Sequence, residues 1–98
     1  MTRDELVDYF SDESNDEFLK FDRVKPLYAN RPDLNAFLLL EHICPDEHDI
    51  IGGAEHDQIW LKVDIDRLAE RASEEHLLTL VRCGVFYDSE VDSLSMFV

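Results

Sequence analysis

His42, Cys44, His48 and His56 fall within fifteen residues, and zinc takes side chains of these types. Their spacing does not make a site. Structural zinc centres repeat Cys-x₂₋₄-Cys or His-x₃₋₅-His, whereas Cys44 stands alone here, and His42-x-Cys44 on a helix end points its two side chains apart. The histidines read as solvated loop side chains, and no metal or other cofactor is expected. Asp88, Glu90 and Asp92 alternate like the opening of a calcium loop. That loop needs glycine at its sixth position for a sharp turn, and Ser93 stands there, so a hairpin turn with solvated acids is the better reading.

Nucleophilic catalysis finds no pattern either. There is no Gly-x-Ser-x-Gly elbow and no Cys-Gly-x-Cys run. Gly52-Gly53 has neither the lysine nor the spacing of a phosphate loop. No catalytic residue is assigned, and the chain is read as non-enzymatic.

The acids carry the strongest signal. Nine basic residues face 23 acidic ones, for a net charge of −14 in 98 residues. Such an excess opposes compaction and disfavours nucleic acid or an anionic membrane as a direct ligand, because both demand positive charge. The charge is uneven. Residues 1–19 carry one base and seven acids, residues 20–31 carry four bases and one acid, and residues 32–57 carry seven acids and no base. Asp4, Asp8, Asp12 and Asp16 recur every fourth residue. On one continuous helix they would stand about 6 Å apart along its axis, and like charges at that spacing cost roughly 0.2–0.5 kcal/mol per pair. Ser11–Asn15 reads as a break that would scatter the row. The candidate partner-binding residues are Asp4, Asp8, Asp12, Glu13, Asp16 and Glu17, followed by Asp46, Glu47, Asp49, Glu55 and Asp57.

The elements that position these acids follow from capping and periodicity. Thr2–Glu5 and Ser14–Glu17 are two capping boxes. The first opens a short helix with Leu6, Val7 and Phe10 inward; the second opens another with Phe18 and Phe21 on one face, ended by Pro26. Pro32 starts a third helix, apolar on nearly every side and closed by Cys44-Pro45. Residues 45–56 read as an acidic loop. Ile59–Val63 alternates as a strand with Trp60 and Lys62 on its outer side, Trp60 being a candidate contact beside Tyr87. Asp64 caps a helix over 65–72, and Ser73 caps another whose buried face is Leu77, Leu78, Leu80 and Val81, with Gly84 at C′. Val85–Tyr87 and Leu94–Phe97 form a closing hairpin.

The expected fold is therefore one α+β domain over residues 1–98: a small antiparallel three-stranded sheet with several short helices packed on one face. A hydrophobic share of 45% gives such a chain a core despite its charge. The N-terminus lacks the basic and then apolar run of a signal peptide, so Cys44 and Cys83 are read as reduced core thiols and the protein as cytoplasmic.

Ala54-Glu55-His56-Asp57-Gln58-Ile59-Trp60-Leu61 with Val63-Asp64 resembles a segment of small uncharacterised phage-encoded acidic proteins. So do Leu80–Val85, Tyr87-Asp88 and Ser95-Met96-Phe97. The resemblance covers the last half of the chain. It implies a phage or prophage product in a bacterial host cytoplasm and carries no activity with it.

These readings converge on a non-catalytic acidic interaction protein that binds a basic surface of a host protein. A nucleic-acid-binding protein is one such target, with carboxylates standing where phosphates would, as in a DNA mimic or inhibitor. The alternative is a structural or assembly accessory acting through a homodimer or sheet edge. A small metal-binding regulatory domain using the histidines is the third reading.

Overall fold

The computed structural model describes residues 1–11, 16–25, 27–45 and 50–97. Helix α1 covers Arg3–Ser11, α2 Pro32–Ile43, α3 Ile65–Arg71 and α4 Glu74–Arg82, with a single 3₁₀ turn at Phe21–Arg23. The strands are β1 Ile51–Glu55, β2 Gln58–Leu61, β3 Phe86–Asp88 and β4 Ser93–Phe97. They form one antiparallel sheet in the order β1-β2-β4-β3.

Helices α1, α3 and α4 start at side-chain caps, and α2 starts at Pro32. Thr2 Oγ1 accepts from Glu5 N at 3.2 Å while Glu5 Oε1 accepts from Thr2 N at 3.2 Å, closing the expected capping box. Asp64 accepts from Asp66 N and Arg67 N at the head of α3. At α4 the box is Ser73 with His76: Ser73 Oγ accepts from His76 N, and His76 Nδ1 accepts from Ser73 N. An imidazole nitrogen thus replaces the usual Glu or Gln acceptor.

Three expectations about the sheet and helices are corrected. The sheet has four strands, not three, because the acidic segment expected to be a loop supplies β1. Ile51-Gly-Gly-Ala-Glu has no alternation to read, and pairing with β2 imposes the strand instead. The two join through His56-Asp57, with Glu55 opposite Gln58 and His56 in the left-handed region at φ 55°.

The second expected helix is also absent among the described residues. Its cap, Ser14, lies outside them. Residues 16–19 form a turn in which Leu19 adopts φ 61°, a conformation no helix contains, and the 3₁₀ turn follows. Helix α2, expected to be surrounded, leaves Leu34 and Leu38 nearly half exposed.

Ile59, Leu61, Leu94 and Met96 project from one face of the sheet into a core shared with Leu6, Leu39, Leu40, Leu68, Leu77 and Leu80 of the helices. Within this core Asn35 is fully buried. Its Oδ1 accepts from Tyr28 N at 2.7 Å and Ala29 N at 3.1 Å, and its Nδ2 donates to Cys83 Sγ at 3.6 Å. One side chain thereby satisfies two backbone donors ahead of α2 and ties them to the end of α4.

That end of α4 is a junction. Gly84, at φ 96°, closes a Schellman motif in which Gly84 N donates to Val81 O and Val85 N to Leu80 O. Leu19 N also donates to Val81 O, and a Cβ on Gly84 would meet Leu19 Cδ2 at 2.5 Å. Beside it, Glu17 accepts from Arg82 Nε and from an Arg23 guanidinium nitrogen, each at 2.8 Å. Gly84→Ala is expected to lower unfolding free energy by about 2 kcal/mol, the left-handed penalty for an L-residue plus the Leu19 contact. Denaturant melts of this variant and of Leu19→Ala/Gly84→Ala measure it, the double variant recovering the steric part only.

The hydrogen bond from Arg82, and then the nearby Arg23 and Arg82 charges, hold the Glu17 carboxyl below its ordinary value of 4.5. A carboxyl lowered in the folded state adds stability above its unfolded pKa and loses it as pH falls through the folded one. Glu17→Gln should therefore be less stable than the parent near neutrality. It should also lose less stability as the pH is lowered from about 6 to about 3, as read by urea titrations at each pH.

Candidate functional site

The candidate acids divide sharply by environment. Asp4 and Asp8 are exposed on α1, and Asp16 is exposed in the turn beyond it. The helix ends at Ser11, so the four-residue row does not lie on one continuous helix. Asp12, Glu13, Asp46, Glu47 and Asp49 lie outside the described residues. Glu17 is spent internally on Arg23 and Arg82. Glu55 and Asp57 are exposed at the β1–β2 turn.

These groups do not share one edge. Helix α1 packs against β3, α3 and α4, whereas β1 and β2 form the other side of the sheet. Three strand spacings, about 14 Å, separate β1 from β3. Asp4 and Asp8 thus flank one edge of the sheet, and Glu55 and Asp57 the other.

Some of the cations are engaged elsewhere. Arg3 grips Asp92 and reaches Asp66 at 3.7 Å, and Arg31 pairs with Asp33 at 3.0 Å. Among the described residues Asp4, Asp8, Asp16 and Asp57 have no ion-pair partner. Glu55 has only the His56 ring at 3.9 Å.

The acids resembling a calcium loop are held by protein donors. Asp88 accepts from Trp60 Nε1 at 3.1 Å and from Glu90 N at 3.1 Å. Asp92 accepts from the Tyr87 hydroxyl and from Arg3, and the Tyr87 bond is the main cause holding its carboxyl below the ordinary value. Among the described residues no three His, Cys, Asp or Glu side chains converge as a metal site; His48 lies outside them. Cys83 is fully buried, and burial raises its thiol pKa, the reverse of what a thiolate nucleophile needs. Cys44 is half-buried, not core, and burial raises its pKa too.

The sheet face opposite the core carries a second candidate surface. Register places Gly53, Trp60, Ser95 and Phe86 in one row across all four strands. Trp60 therefore sits in line with Phe86; Tyr87, expected beside it, points with Leu94 to the core side. Ser95 is fully buried on this face, flanked by Trp60 and Phe86, with Gln58 Nε2 donating to its Oγ at 2.8 Å. The rings of Phe86 and Phe97 stack at 5.3 Å, and Phe18 leans edge-on against Phe86 at 6.3 Å.

Periodicity identified Trp60 as outward-facing but missed Phe86, because the hairpin register that puts it in the same row is invisible in a three-residue strand. Among the described residues no helix is long and apolar enough to cross a membrane. Comparison with protein-family models, with curated proteins and with solved structures finds no match.

Proposed function

We propose that this chain is a non-catalytic acidic interaction protein that binds a basic surface of another protein. Nucleic-acid-handling proteins present such surfaces, and the carboxylates here would occupy sites that phosphates otherwise take, making the chain a mimic or inhibitor. The resemblance in its last half extends the proposal to a phage product acting in a bacterial cytoplasm. The observation that carries the reading is the division among the acids. Glu17, Asp33, Asp88 and Asp92 are satisfied within the fold, while Asp4, Asp8, Asp16 and Asp57 stand exposed without an ion-pair partner among the described residues. Leaving like charges unpaired costs stability, and a cationic partner repays it with fast, steered association.

A second reading has its own observation. Strand β1 has no neighbour on its outer side among the described strands, and such an edge is a template for pairing with another chain. In that reading the protein is an assembly accessory, and it sediments as a tight dimer.

The test is a pull-down from nuclease-treated bacterial lysate, eluted by salt, with the parent and with Asp4→Lys/Asp8→Lys/Asp57→Lys. The proposal expects a basic nucleic-acid-handling protein to elute at moderate salt from the parent and to be lost from the variant, which should remain folded and monomeric. Capture indifferent to both salt and charge reversal contradicts it.

A further inference from the structure

We infer that the face of the sheet opposite the core is where such a partner docks, and that the occupant is a basic polypeptide segment carrying an apolar side chain. This rests on the acidic-binder reading and names the surface that reading leaves open.

The face is apolar and accessible. Phe97 is 58% exposed and Val91 56%, large values for side chains that lie beside a half-buried tryptophan. Between β1 and the β3–β4 turn a cleft of about 490 Å³ opens, lined by Ile51, Gly53, Trp60, Lys62, Val91 and Ser93. Its size falls within the range of ligand clefts, which run from about 300 to 1,000 Å³.

The approach is tight at Gly52, where a Cβ would meet Lys62 Cβ at 3.2 Å, whereas one on Gly53 would make an ordinary contact with Trp60 Cε3 at 3.7 Å. The cleft wall is also fixed, because the Trp60 indole is pinned by Asp88. A pre-set aromatic wall binds with less ordering cost than a mobile one.

Charge selects the occupant. Exposed acids bracket the face, Glu55 and Asp57 at the β1–β2 turn and Glu90 at the β3–β4 turn, against one exposed cation, Lys62, in the cleft wall. A second copy of a chain carrying −14 would bring like charge to like. A basic segment brings the opposite charge, and its arginines gain by lying over aromatic rings such as those of Phe97 and Trp60.

Trp60 is the only tryptophan in the sequence, so its emission reports directly on the cleft. The probes are a synthetic Arg/Gly peptide containing leucines and the same peptide with every leucine replaced by glycine. The leucine peptide is expected to shift Trp60 emission to the blue and to bind at least tenfold more tightly than the glycine peptide. Val91→Ser/Phe97→Ser should abolish that difference. Leu34→Ser/Leu38→Ser, which alters the exposed leucines of α2, should leave it intact. Salt-sensitive binding of both peptides with unchanged Trp60 emission, or a loss of preference in the α2 variant alone, overturns this docking face while sparing the acidic-binder reading. Failure of both peptides to bind at low salt overturns both.

Discussion

The structure is governed by how few cations it has to spend. Nine basic residues serve 23 acidic ones, and Arg3, Arg23 and Arg82 form their ion pairs where the chain must be closed. Arg3 fastens the start of α1 to Asp92 in the β3–β4 turn, and Arg82 with Arg23 fastens Glu17 and its turn to the end of α4. The Arg3–Asp92 and Arg82–Glu17 contacts join segments distant in sequence. Asp4, Asp8, Asp16 and Asp57 have no ion pair among the described residues and are left to water. Exposed ion pairs are individually weak, so cohesion comes from the apolar core, and the pairs decide which loops lie against it.

That division explains the local architecture around α4. Its C-terminus receives Gly84 in a left-handed turn, Leu19 from the preceding loop, the Glu17–Arg82 pair and, through Cys83, the buried amide of Asn35. Asn35 converts a polar liability into a fixed link by accepting two backbone hydrogen bonds. A buried amide is retained at low cost only when its partners are all in place, so this network demands a single arrangement of α2, α4 and the loop between α1 and α2.

Much of the fold was legible in the sequence because it rests on short-range signals. The Thr2–Glu5 box, Pro32, Asp64, Ser73 and Gly84 each mark a helix boundary by a chemistry confined to one turn. What stayed hidden depends on distant partners. Strand β1 has two glycines where alternation should be, and it exists by pairing with β2. The turn at 16–19 replaces an expected helix because Leu19 and Glu17 bond to Val81 and Arg82, more than sixty residues away in some cases. The outer-face row of Trp60, Ser95 and Phe86 required the strand order. Of the candidate site, the exposed character of Asp4, Asp8, Glu55 and Asp57 was legible from composition, but their separation on opposite edges of the sheet was not.

The central claim is that the surface carries net repulsion which the internal ion pairs do not offset. The direct measurement is the melting temperature at neutral pH as sodium chloride is raised from about 10 mM to about 150 mM, which shortens the screening length from about 30 Å to about 8 Å. Uncompensated repulsion predicts a melting temperature that climbs across this range. A melting temperature that stays level or falls would mean that attractive pairs balance or outweigh the exposed acids, and would contradict the account.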